Sequence, residues 1–179
     1  TNLISITDGQ IYLSPTLFEL GILPAIDVGK SVSRVGSKAQ AACYRAVTGD
    51  LKLAYAQFLE LESFARFGTK LDEHTSNIIA HGKRIRSCLV QGESEPLSIA
   101  EQITLLLALG DGLLDSIPED KIVAARKALC EAVAAFPDDL IQYFTSGDTL
   151  SNAQRKTISG YAQQALAPFA PKLEEERSA

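Results

Sequence analysis

The chain has 179 residues, 46% of them apolar, and a formal net charge of −5, which suits one ordinary domain with its own core or a domain plus a piece of another. The acidic balance argues against nucleic acid as a main partner. The longest apolar runs, such as Leu105 to Leu109, fall far short of the ~18 residues a membrane span needs, so no direct membrane insertion is expected.

Short β-type runs come first: residues 3–8, 10–13 and 24–28 read as strands, and Asp8-Gly9 between the first two is a tight-turn signal. The chain opens without Met and already inside a strand-like run, as expected for part of something longer. Two or three short strands cannot bury both faces of a sheet. Residues 1–37 are therefore expected to form a hairpin packed on the rest, or to self-associate through exposed edges.

Within "VGKSVSRVGSKAQ", Val28 to Gln40, two features suggest phosphate chemistry. Gly29-Lys30-Ser31 ends like a phosphate-binding loop, G-x-x-x-x-G-K-[ST], whose first glycine lets backbone N–H groups wrap the phosphates. Five residues before Gly29 stands Pro24, which has no N–H and a fixed φ. The cradle fails. Arg34 is set apart by context: Val32 and Val35 alternate with polar neighbours, and Gly36 permits a sharp turn, so the guanidinium is expected at the end of a strand-like segment.

From about residue 38 the pattern is helical. Ala39, Ala42, Cys43, Ala46, Val47, Leu51, Ala54, Tyr55, Phe58 and Leu61 follow the i, i+3, i+4, i+7 stripe, with Gly49 as a point of bending or division. A break is expected at Phe67-Gly68-Thr69 and a second helix from about Glu73 to Leu89. Ser98 and Glu101 make a capping box before "ITLLLALGDGLL", apolar nearly all round and expected to be the central buried helix. Pro118 suits a first helical turn, and a stripe runs from Ile122 to Phe136. Ser151 with Gln154 caps a last helix carrying Ile158, Tyr161, Ala162, Leu166 and Phe169; "PKLEEERSA" reads as a solvated tail.

Other candidates read as ordinary structure. Cys43, Cys88 and Cys130 are dispersed without C-x-x-C spacing, which fits reduced thiols of an intracellular protein better than disulfides or zinc. His74 and His81 lie seven apart without a carboxylate or cysteine on that face, and read as solvated rather than as metal ligands. Lys83, Arg84 and Arg86 read as one wet side of a helix, and Asp138-Asp139 as the start of a short one. The fold class is mainly α: a helical bundle behind a few short strands.

"TNLISITDGQIYL", "LFELGILPAIDVGKSVSRVGSKAQ" and "FARFGTKLD" resemble the F-type ATP synthase alpha subunit from late in its nucleotide-binding domain. The likeness is dense over residues 1–40 and looser to about Asp115. "SFARFGTKLDEHT" and "LALGDGLLDSIP" are similar to alpha subunits of the alternative N-type bacterial F-ATPases. The resemblance implies that residues 1–37 end an incomplete α/β nucleotide-binding domain, without its phosphate loop, and that 38–179 form the C-terminal helical domain. It implies that Arg34, in S-V-S-R-V-G, is an arginine finger offered in trans to the catalytic site of a beta subunit. Ser5 matches a serine on the phosphate side of that interface.

Phe18 and Gln91 match residues beside the adenine of a non-catalytic nucleotide, although Leu23 stands where the family pattern has Arg, Glu93 where it often has Gln, and Lys30 where it has Leu. The resemblance further implies ATP or ADP with Mg²⁺ in the full assembly, and partners among the beta subunits and the gamma central stalk. It implies a peripheral position on the cytoplasmic face of a bacterial inner membrane, as part of the F1 sector of a proton- or sodium-translocating enzyme. The chain alone is expected to be inactive. A free-standing helical interaction module, with residues 1–37 as a docking arm and no nucleotide role, explains the composition equally well but not the spacing of Ser5, Phe18, Arg34 and Gln91.

Overall fold

A computed structural model describes residues 6–65, 72–146 and 149–171. Among them are seven α-helices and a sheet of two strands. The first strand, β1 (Gly9–Gln10), pairs antiparallel with β2 (Val32–Ser33), Gly9 facing Ser33 and Gln10 facing Val32. The pairing continues irregularly: the Asp27 N–H donates to Tyr12 O at 2.9 Å, Leu13 bridges Ile26, and the Ser14 N–H donates to Ala25 O at 2.8 Å. Residues 8–14 and 25–34 thus form one ribbon.

This corrects the expected hairpin at Asp8-Gly9. Ile6 is helical and Thr7 and Asp8 form a bend, so residues 6–8 are no strand; residues 3–5 lie outside the described part. Gly9 serves close approach instead of a turn. A Cβ there would stand 2.6 Å from Val32 O, so only glycine lets the two backbones meet. The ribbon reverses further along, through the short helix α1 (Pro15–Glu19), whose Ser14 cap accepts from the Leu17 N–H. Gly21, at φ +71°, ends it: its N–H donates to Phe18 O and the Ile22 N–H donates to Leu17 O, the paired bonds of a left-handed helix stop.

The bundle follows as α2 (Ala42–Ala65), α3 (Glu73–Leu89), α4 (Ile99–Gly110), α5 (Ile122–Ala132), α6 (Asp138–Ser146) and α7 (Asn152–Leu166). Of the bend or division expected at Gly49, the division does not occur: helix α2 runs unbroken through it. One glycine costs about 1 kcal/mol, and the burial of Cys43, Val47, Leu51 and Phe58 on one face outweighs it. The expected break at Phe67-Gly68-Thr69 lies outside the described residues. Both capping boxes form, Ser98 with Glu101 and Ser151 with Gln154.

Helix α4 is the centre. Leu105, Ala108 and Leu109 pack into one apolar cluster with Ile85 of α3 and Ala125 and Leu129 of α5. Ala100, Ile103 and Leu107 pack into a second with Cys43 and Val47 of α2, Phe144 of α6 and Ile158 of α7. A helix buried on two sides must be apolar nearly all round, and its buried Thr104 satisfies its hydroxyl on Ala100 O at 2.8 Å.

Two readings of α3 need correction. Arg86 is not on a wet face: its Nη1 and Nη2 donate to Glu62 of α2 at 2.8 and 2.7 Å, and its guanidinium lies 4.5 Å from the Phe58 ring centre. Arg84 is half-buried and donates to Ile117 O at 3.2 Å, while Lys83 is exposed as expected. His81 does meet a carboxylate, Asp115 at 2.7 Å, beyond its own helix; His74 is exposed.

Candidate nucleotide-facing site

Arg34 follows directly on β2. Its N–H donates to Asp8 O at 2.8 Å, extending the ladder by one bond, and the Gly36 N–H donates to Ser33 Oγ at 3.0 Å. Gly36, at φ +58°, then turns the chain into a 3₁₀ turn, Gly36–Ala39. The backbone at Arg34 is therefore held from both sides while its side chain is 60% exposed. The guanidinium lies 3.9 Å from the Asp8 carboxylate, itself 84% exposed. A pair so open to water contributes at most about 1 kcal/mol.

Gly29-Lys30-Ser31 is consumed by a turn. The Lys30 N–H donates to Asp27 Oδ1 at 3.0 Å, and its ammonium pairs with Asp27 and lies 4.9 Å from the Tyr12 ring centre. Ser31 Oγ donates to Asp27 O at 2.6 Å and accepts the Tyr12 N–H at 3.0 Å. The Lys30 backbone N–H is bonded to a carboxylate, so the segment is no phosphate cradle.

The two adenine-side candidates lie on different elements, Phe18 on α1 and Gln91 just beyond α3. Phe18 is 67% exposed on α1, and the helix stop after it leads to Leu23, whose carbonyl accepts the Gln91 N–H at 2.9 Å. The Gln91 side chain donates to Glu95 O at 2.8 Å. The same ribbon borders a cleft of about 260 Å³ against the bundle, with Asp27 and Lys30 on one side and Tyr55, Glu62 and Arg86 on the other. Ser5 lies outside the described residues. Among the described residues no three His, Cys, Asp or Glu side chains gather as a metal site.

Sequence reasoning missed Asp8 as the partner of Arg34, because the pairing of Gly9 with Ser33 that joins them spans 24 residues. It also missed Glu62 opposite Arg86. That pair joins two helices and leaves no local signal in the sequence.

Residues 40–165 match the family model described as "ATP synthase alpha/beta chain, C terminal domain", and residues 1–33 match "ATP synthase alpha/beta family, nucleotide-binding domain". The chain belongs to the ATP synthase alpha/beta family. It is 61% identical over 177 residues to "ATP synthase subunit alpha 2" of Polaromonas naphthalenivorans, covering 99% of this chain and 34% of that protein. To "ATP synthase subunit alpha 1" of Marinomonas sp. it is 61% identical over 169 residues, covering 94% and 33%. The chain spans about a third of the length of these alpha/beta-family relatives. With both family models matched, a helical module unrelated to nucleotides has no support. No helix of the described residues is long and apolar enough to cross a membrane.

Proposed function

We propose that this chain is part of the alpha subunit of the F1 sector of an ATP synthase, and that Arg34 is an arginine finger acting on nucleotide held by a neighbouring beta subunit. The observation that carries the reading is a guanidinium on a fixed backbone at a strand end, its side chain exposed and paired across 3.9 Å with a solvated Asp8. A planar, permanently charged fork suits the spread charge of a transferring phosphoryl group where an ammonium does not. Ser5 acts on the phosphate side of the same interface. Residues 1–37 complete a nucleotide-binding domain, and 38–179 form the helical domain that meets the beta subunits and the central gamma stalk.

Phe18 and Gln91 face the adenine of a second, non-catalytic nucleotide. With Leu23 in place of the family's Arg, that site lacks one cation. The phosphate loop and the Mg²⁺ ligands belong to parts of the assembly outside this chain, which alone neither turns over ATP nor binds it tightly. The assembly couples ATP to proton or sodium transport, with this subunit peripheral on the cytoplasmic face of a bacterial membrane.

The test is Arg34→Lys in the complete assembly. Lost turnover in an intact complex supports the finger, and unchanged turnover overturns it.

A further inference from the structure

A second pocket lies within the bundle, away from Arg34, where the end of α3 meets α4 and α5. It is a half-open pocket of about 170 Å³, and Leu97, Leu105, Leu106 and Cys88 give it an apolar lining. Arg126 of α5 stands in its wall, half-buried, with Nη1 donating to Val90 O at 2.5 Å. Among the described residues no carboxylate comes within ion-pair distance of Arg126. Arg84, which does not line this pocket, likewise has a backbone carbonyl and no carboxylate within that distance, whereas Arg86, Arg34 and Lys30 each have an acid partner.

A half-buried guanidinium with unused N–H donors over an apolar slot has a definite complement. One carbonyl satisfies one of its five donors, and the remaining edge matches a carboxylate. A cavity of about 150 Å³ holds a benzene-sized molecule, so this one takes about six carbons. Gln91 and Gln102 also line it, but their amides donate to Glu95 O and Leu97 O, both at 2.8 Å. They close the rim without competing for the anion.

We propose that this pocket binds a small amphipathic monocarboxylate, with its charge on Arg126 and its tail between Leu97 and Leu106. The site has a route to the rest of the molecule. The Gln91 N–H in its wall donates to the carbonyl of Leu23, in the connection between the two arms of the ribbon that carries Arg34, so an occupant at Val90 and Gln91 stiffens the seam between that connection and the bundle.

The experiment titrates the complete chain with hexanoate by NMR, following the amides of Val90, Gln91, Leu97 and Arg126, with hexan-1-ol as the uncharged control. Saturable shifts confined to these amides are expected, with hexanoate binding at least ten-fold more tightly than hexanol. Arg126→Gln should remove that preference, and Leu97→Trp should block both ligands. Equal affinity for acid and alcohol, or no saturable shift in the wild-type chain, overturns the proposal. Both of those outcomes are read on the wild-type protein, so they hold even if a variant fails to fold.

Discussion

Arg86 and Glu62 meet in parallel, with two N–O contacts of 2.8 and 2.7 Å joining α3 to α2, and their side chains are 15% and 20% exposed. The Tyr55 hydroxyl accepts a third bond from Arg86 Nε at 3.4 Å, and Phe58 lies under the guanidinium. Burial pulls the Arg86 pKa down, but Glu62 and Tyr55 outweigh it and hold the group above its ordinary value.

Removing one side of this pair strands the other. Glu62→Gln should destabilise the chain by about 1–3 kcal/mol, less than the 3–5 of a fully buried pair because both side chains keep some contact with water. Urea unfolding would show a lower midpoint at unchanged slope. A variant within about 0.5 kcal/mol of wild type would contradict the role of the pair.

The glycines of α2 and α3 should respond in opposite directions. A Cβ on Gly82 would stand 2.0 Å from Phe58 Cγ, and the Phe58 ring is fully buried. Gly82→Ala should therefore cost about 1–3 kcal/mol of overpacking. Gly49 has nothing within 4 Å of its missing Cβ, so Gly49→Ala should gain about 1 kcal/mol of helix propensity. Thermal unfolding of the two variants side by side checks both signs.

Cys88 makes stability fall in alkali. Burial pushes its thiol from 9.0 up to about 12. Above pH 9 the unfolded chain releases this proton while the folded chain keeps it, so stability is full below pH 9 and declines toward pH 12. Cys130 and Tyr44 are also raised, both chiefly by burial, and add to the decline. Cys88→Ala should flatten the slope by up to about 1.4 kcal/mol per pH unit. An unchanged slope between pH 9 and 11 would contradict the assignment.

The helix caps give a local test. Ser98→Ala should cost about 1 kcal/mol, because the hydroxyl accepts the Glu101 N–H and the Glu101 carboxylate accepts the Ser98 N–H. Faster amide exchange in the first turn of α4, with α7 unaffected, would locate the loss.

What could be read from the sequence follows from range. The caps at Ser98 and Ser151 act over three residues, and the stripe from Cys43 to Phe58 repeats within one helix, so both were legible. Arg86 was misread because its partner Glu62 lies on another helix, 24 positions away. Asp8-Gly9 carried a turn signal, yet Gly9 is needed for close approach to Val32, and a local signal does not separate these uses. At the candidate site, the turn at Gly36 and the strand end before Arg34 were legible from alternation. The Asp8 contact was not, because it depends on the pairing of β1 with β2.

The central claim concerns Arg34, and steady-state ATP turnover of the complete assembly carrying Arg34→Lys tests it most directly, with subunit stoichiometry verified first. A finger supplied in trans is worth about 10³–10⁵ in rate. The account predicts a loss of at least a thousand-fold in an intact complex; turnover within a few-fold of wild type would contradict it.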